Sequence, residues 1–147
     1  MNTDLIDIKI RAVEGGVTAA AGFKAAGIHA GFRKNPERLD YALVVPDKPC
    51  PGAGVFTTNR FCAAPVQVSR VNLGGADKGY GIIAGVSINS GNANAATGET
   101  GLACARETCN IASQVIGCEP QQILVASTGV IGQILPIDTF EAAVPSA

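Results

Sequence analysis

Near the carboxyl end of the chain, a compact apolar segment, Ile123-Leu124-Val125-Ala126, runs into Ser127-Thr128-Gly129-Val130-Ile131-Gly132. The length and β-branching of the apolar segment suit a buried strand better than a helix. A strand that ends in Ser-Thr-Gly presents hydroxyls and free backbone N–H groups at its carboxyl end, and Gly129 allows both a sharp turn and close approach of another group. Donors grouped in this way can stabilise a small anion. The same residues also read as an ordinary strand-to-loop turn.

A second polar run has the same form. The apolar segment Gly81-Ile82-Ile83-Ala84-Gly85-Val86-Ser87-Ile88 ends in Asn89-Ser90-Gly91-Asn92-Ala93-Asn94. Asparagine tolerates unusual backbone angles and folds its amide onto nearby main chain, so this run reads either as a rigid turn before a helix or as a polar wall beside a site. Other reactive residue types are sparse. His29 is the single histidine, which excludes a His-rich metal site within this chain. Cys50, Cys62, Cys104, Cys109 and Cys118 form an odd set with no C-x-x-C pair, and they read as small buried hydrophobes. No metal site is expected.

These two runs need elements to position them. Leu102, Ala105, Cys109, Ala112 and Ile116 recur at helical spacing, Gly117 supplies a stop, and Glu99 suits the helix amino terminus. Strand, polar turn, helix and the strand ending at Ser127 form a βαβ unit. If that unit is a parallel crossover, Asn89–Asn94 and Ser127–Gly129 lie at one edge of one sheet and flank one cleft. Upstream, Leu5 to Ile10 is a lead-in segment or short strand, and the glycine-punctuated stretch from 15 to 31 suits short strands and turns. Arg33 to Arg38 reads as an exposed charged turn, and Tyr41–Val45 as a strand. A turn at Gly52–Gly54 is expected, then a strand at Val55–Thr58. Pro65–Val71 alternates apolar and polar with period two and is expected to be a half-buried strand. Thr139–Ala143 begins a helix.

Composition limits the classes of function. The chain has 147 residues, 47% hydrophobic and 16% charged, with a net charge of −1. That is enough for one domain with a sizeable core, and it offers no basic stripe for nucleic acid or anionic membrane. There is no apolar run of transmembrane length and no signal-peptide pattern, so the chain reads as soluble and cytoplasmic.

Several of these runs, taken together, carry a resemblance. Gly15-Gly16-Val17-Thr18-Ala19 with Gly22-Phe23-Lys24-Ala25-Ala26-Gly27, Gly54-Val55-Phe56-Thr57-Thr58-Asn59 with Ala64-Pro65-Val66, Asn89 to Ala95, and Ser127 to Gly132 occur in the order found in one family. The chain resembles the amino-terminal part of the ornithine acetyltransferase family, bifunctional glutamate N-acetyltransferases of arginine biosynthesis. The resemblance implies a mixed, layered α/β fold and a precursor that cleaves itself before a threonine. That threonine then begins the β chain, serves as nucleophile, and uses its own α-amino group as base. It takes acetyl from N-acetylornithine and passes it to glutamate, and some members accept acetyl-CoA, which makes acetyl-CoA a candidate co-substrate; no bound cofactor is implied. The family's oxyanion hole falls on the Thr128 hydroxyl and the Gly129 N–H. The implied partner is the β chain of the same precursor, in an assembly of two α and two β chains.

Ala20-Ala21 stands where relatives often have Pro-Lys, and Ala96 where many have Cys. The family's α chain continues past Leu135–Asp138, so residues 1–147 are expected to be the amino-terminal portion of one acetyltransferase domain, ending before the self-cleavage site. The nucleophile is then not in this chain, and the fragment alone is expected to be inactive. The alternatives are a related threonine-nucleophile enzyme of amidase or peptidase type, and a non-catalytic binding module of the same fold.

Overall fold

Six strands and three helices account for the regular structure of the computed structural model, which describes residues 12–75 and 77–147. The lead-in segment Leu5–Ile10 lies outside the described residues. After a 3₁₀ turn at Gly16–Ala19 come β1 (Phe23–Ile28), β2 (Tyr41–Pro46), β3 (Cys50–Ala53), α1 (Ala64–Asn72) and β4 (Tyr80–Ile83). The second half contains β5 (Gly85–Asn92), α2 (Gly98–Ile116), β6 (Ile123–Val130) and α3 (Ile137–Ala143). Four strands form a mixed sheet in the order β1-β2-β5-β6, while β3 and β4 pair separately. The β5–β6 pair is parallel and the others are antiparallel, an α/β architecture as expected.

The helices cover one face of the mixed sheet. Tyr41 and Leu43 from β2, with Ile123 and Val125 from β6, pack against Val68 of α1 and Ala105, Cys109 and Ala112 of α2. Phe140 of α3 is fully buried and meets the Phe32 and Tyr41 rings at 4.7 and 5.7 Å between centroids. Such aromatic contacts contribute beyond the area they bury. The Tyr41 hydroxyl lies 3.0 Å from the Ser87 hydroxyl, and burial pushes its pKa upward, so it remains neutral. The alternate residues form the opposite face, in rows set by the register: Val44, Val86 and Leu124; Ala42, Ile88 and Ala126; then Ser90 and Thr128.

Helix α2 forms where the apolar spacing placed it and stops at Gly117, whose N–H donates to the Ser113 carbonyl. Four other expectations need correction. Pro65–Val71 is not a strand but most of α1. Ala64, Pro65, Val68 and Ser69 are its buried residues, a three-to-four spacing that outweighs the alternation of Val66 and Val68. Pro65 sits in the first helical turn, where its missing N–H costs nothing. Val55–Thr58 is irregular, and the strand lies earlier at Cys50–Ala53, where Pro51 and Gly52 give the appearance of a turn. The apolar run Gly81–Ile88 is divided between β4 and β5 at Ala84. Arg33 is half-buried rather than exposed with the rest of its turn.

Helix α1 also closes part of the free edge of β6. The Val125 N–H donates to Ser69 Oγ at 3.0 Å, and Ser69 Oγ donates to the Val125 carbonyl at 2.8 Å. Asn72 extends this cover by donating to the Ile123 carbonyl at 2.6 Å. Ser69→Ala leaves both Val125 groups buried without a partner and is expected to lower stability by about 1–3 kcal/mol. The denaturation midpoint of the full-length protein reads this, and an unchanged midpoint would contradict it.

Candidate active site

The two polar runs lie at one edge of one sheet as expected, but they pair directly as adjacent strands instead of flanking a cleft. Asn89 pairs with Ser127, Ser90 with Thr128, Gly91 with Gly129 and Asn92 with Val130. Both strands therefore continue through their polar residues: β6 does not end at Ser127, and β5 absorbs Asn89–Asn92. The turns proper begin later and are joined, with the Ala93 N–H donating to the Val130 carbonyl and the Gly132 N–H to the Ala95 carbonyl.

Strand alternation fixes where the Gly129 N–H points. Both backbone groups of Val125 face away from β5, because Ser69 of α1 takes them. Successive residues of a strand direct these groups to opposite sides, so Ser127 and Gly129 repeat the direction of Val125. Strand β6 is the last of its sheet, so the Gly129 N–H is aimed at an open edge. Thr128 is exposed on the face not covered by helices, beside Ser90. Thr128 and Gly129 thus lie adjacent at the carboxyl end of β6, with a hydroxyl and a backbone N–H available.

Two glycines make this possible. A Cβ on Gly129 would overlap the Gly91 backbone and lie 2.6 Å from the Asn92 nitrogen. A Cβ on Gly91 would lie 2.9 Å from the Phe32 carbonyl oxygen. Both residues also take positive φ, +137° and +112°, which side chains other than hydrogen rarely adopt.

The asparagines are committed to scaffolding, so they form a structural joint and not a polar wall with free amides. Asn89 donates to the Asn92 carbonyl, and Asn92 to the carbonyls of Gln133 and Ile134. Asn94, fully buried at φ +45°, accepts from Thr97 and donates to Gly101 inside α2. His29 makes no hydrogen bond to a hydroxyl or thiol among the described residues. Its Nδ1 lies 3.0 Å from the Arg38 carbonyl and 3.4 Å from the Asp40 carboxylate. All five cysteines are free thiols, and no group of metal-ligating residues occurs among the described residues. Burial pushes the Cys109 thiol up to about 11, so it stays protonated and unreactive near neutral pH.

Ser69 and Asp40 escaped the sequence reading. Ser69 lay hidden in a segment read as a strand. Asp40 was signalled only by an acid directly before the apolar run Tyr41–Val45. Its carboxylate is wholly enclosed and accepts the N–H groups of Ala30 and Arg33 at 2.6 and 2.7 Å. Two surface clefts, of about 410 and 570 Å³, lie along α1, and neither is lined by Thr128 or Gly129. The edge at Gly129 is open surface.

Comparison with known proteins identifies the family to which the chain is similar. The ArgJ family profile matches residues 24–147. The arginine biosynthesis bifunctional protein ArgJ of Bifidobacterium longum is 48% identical over 132 residues, covering 89% of this chain and 32% of that protein. Its counterpart in Dehalococcoides mccartyi is 45% identical over 129 residues, covering 87% of this chain and 31% of that protein. The chain thus spans about a third of the length of these curated relatives. Among solved structures, ArgJ from Bacillus halodurans superposes with a TM-score of 0.80 at 34% identity, over 89% of this chain and 65% of that one. The ornithine acetyltransferase of Mycobacterium tuberculosis, solved complexed with ornithine, gives 0.81 at 39% identity, over 89% and 68%. On sequence and on fold alike, the chain belongs to the ArgJ family.

Proposed function

We propose that this chain is the oxyanion-binding part of an N-acetyltransferase that moves acetyl from N-acetylornithine to glutamate. The observation that carries this reading is the Gly129 N–H, aimed at an open strand edge beside the exposed Thr128 hydroxyl. A hydroxyl and a backbone N–H on adjacent residues suit an oxygen that gains negative charge only as an acyl carbonyl becomes tetrahedral. The family supports acyl transfer in arginine biosynthesis, and the ornithine held by the Mycobacterium tuberculosis enzyme supports an ornithine-bearing donor.

In this reading the nucleophile is a threonine in the portion of the longer protein that this chain does not span, freed when the precursor cleaves before it. Its hydroxyl attacks the acetyl carbonyl and its α-amino group accepts the hydroxyl proton. The tetrahedral oxyanion rests between Thr128 Oγ and Gly129 N. The intermediate collapses by releasing ornithine, whose departing nitrogen takes the proton, and the acetyl group remains as a threonine ester. The glutamate amine then attacks that ester through the same oxyanion site, regenerating the threonine. Acetyl-CoA is a second donor for the first half-reaction, with the CoA thiol as leaving group, and enters as co-substrate.

The partner in this reading is the β chain of the same precursor, in an α2β2 assembly. The uncovered sheet face supports a large partner: its rows of Val44, Val86, Leu124 and Ile88 are apolar, and Val130, Ile131 and Ile134 beside the site are more than half exposed. The five free thiols suit a cytoplasmic location, where they stay reduced.

In the full-length protein, Thr128→Ala is expected to lower kcat about 100- to 1,000-fold with the fold intact. Thr128→Ser, which keeps the hydroxyl, should recover most of that loss. An N-acetylornithine/glutamate exchange assay reads both, and near-normal turnover in Thr128→Ala would remove Thr128 from the site. Gly129→Ala is expected to abolish turnover and also to lower the melting temperature, because the new methyl group meets the Gly91 backbone. A fully active, equally stable Gly129→Ala protein would contradict the close packing of the two strands.

A further inference from the structure

We propose that Arg33 is a positioning residue for the oxyanion donors, holding Ser90 and the β5 backbone against which Thr128 and Gly129 are set. The inference rests on the oxyanion reading above and assigns its support.

The support for Arg33 starts at the buried Asp40. A carboxylate removed from water is costly unless its oxygens are bonded. Both oxygens accept backbone N–H groups, from Ala30 and Arg33, and the His29 ring lies 3.4 Å away. The main chain of Asp40 is tied on both sides. Its N–H donates to the Ile28 carbonyl at the end of β1, and its carbonyl accepts the Ser90 N–H at 2.8 Å. Asp40 thereby fixes the loop from His29 to Arg33 over the last residues of β5.

That loop delivers two contacts to the strand. The Phe32 backbone lies directly against Gly91, close enough that a Cβ there would sit 2.9 Å from its carbonyl oxygen. Arg33 Nε donates to Ser90 Oγ at 3.0 Å. Ser90 and Gly91 are the register partners of Thr128 and Gly129. Phe32, Gly91 and Gly129 therefore stack as three backbones with no side chain between the glycines, so a displaced loop has no soft layer to absorb the movement. Packed protein transmits such shifts because it is nearly incompressible.

The side chain of Arg33 is otherwise unassigned. It is half-buried, and no carboxylate lies within 4.0 Å of it among the described residues. Its bond to Ser90 is the specific contact of the guanidinium. A shift of the donors by a fraction of an ångström reduces transition-state stabilisation while leaving substrate binding largely as it was.

The test is a double-mutant cycle in the full-length, self-processed enzyme, with Arg33→Met, Thr128→Ala and the pair. Arg33→Met is expected to lower kcat by about 10- to 100-fold, with KM for N-acetylornithine nearly unchanged. Added to Thr128→Ala it should cost less, because one of the two donors it positions is already gone. Ser90→Ala, which keeps the cation and removes only the acceptor, should show the same pattern and serves if Arg33→Met fails to fold. Equal losses in both backgrounds, a loss confined to KM, or a Ser90→Ala enzyme identical to the parent would overturn the positioning role while the oxyanion reading stands. An unaffected kcat in Thr128→Ala alone would overturn both, and that single variant separates the two failures.

Discussion

Where β5 and β6 run side by side, the Gly91 and Gly129 backbones touch without room for a methyl group between them. This contact depends on a parallel pairing, and parallel neighbours need a crossover long enough to return the chain to the same end of the sheet. Helix α2 is that crossover. Its small buried residues, Ala105, Cys109 and Ala112, allow it to lie close to the strands it connects. Asn94 ties the outgoing turn into the helix start, and the pairing of Ala93 and Ala95 with Val130 and Gly132 closes the far end. Loosening any of these would let the two strands slide or separate, and the register that sets Thr128 and Gly129 beside Ser90 and Gly91 would go with it.

Support reaches β6 from two sides, and the sides do different work. Ser69 and Asn72 of α1 satisfy backbone groups on the outer edge as far as Val125, so that edge is occupied near the core and left open further along. The open part carries the Gly129 N–H. Burying an unpaired N–H is unfavourable, but leaving it at a surface costs little, since water serves until another acceptor replaces it. From the other side, the Asp40 loop fixes β5 through Arg33 and Phe32. An edge strand held rigidly by its neighbour, with the Gly129 N–H facing the open edge, combines stiffness with availability.

The sequence was most legible where pattern and packing agree. The 102–105–109–112–116 spacing gave α2 and Gly117 gave its end, and the similar forms of the two polar runs pointed to a shared sheet edge. It was least legible where a local pattern served two structures. Val66 and Val68 alternate as in a strand, yet only the burial of Ala64, Pro65, Val68 and Ser69 against β6 reveals α1. Pro51 and Gly52 look like a turn but accept strand pairing in a short two-stranded sheet. The continuation of β5 and β6 through Asn, Ser, Thr and Gly was hidden because those residues have weak strand propensity, and tertiary pairing overrides it. The Asp40–Arg33–Ser90 chain joins residues 57 positions apart, which no local spacing signals.

The central claim is that Thr128 and Gly129 donate to the acyl oxygen. Infrared spectroscopy of the full-length enzyme, trapped as its acetyl-enzyme with an isotopically labelled carbonyl, tests it on the reacting group itself. Two aligned donors polarise the carbonyl, so its stretch is expected at lower frequency than that of a free acetyl ester, and removal of the Thr128 hydroxyl should move it back towards the free value. A stretch at the free-ester position in the parent enzyme, unchanged in Thr128→Ala, would contradict the account.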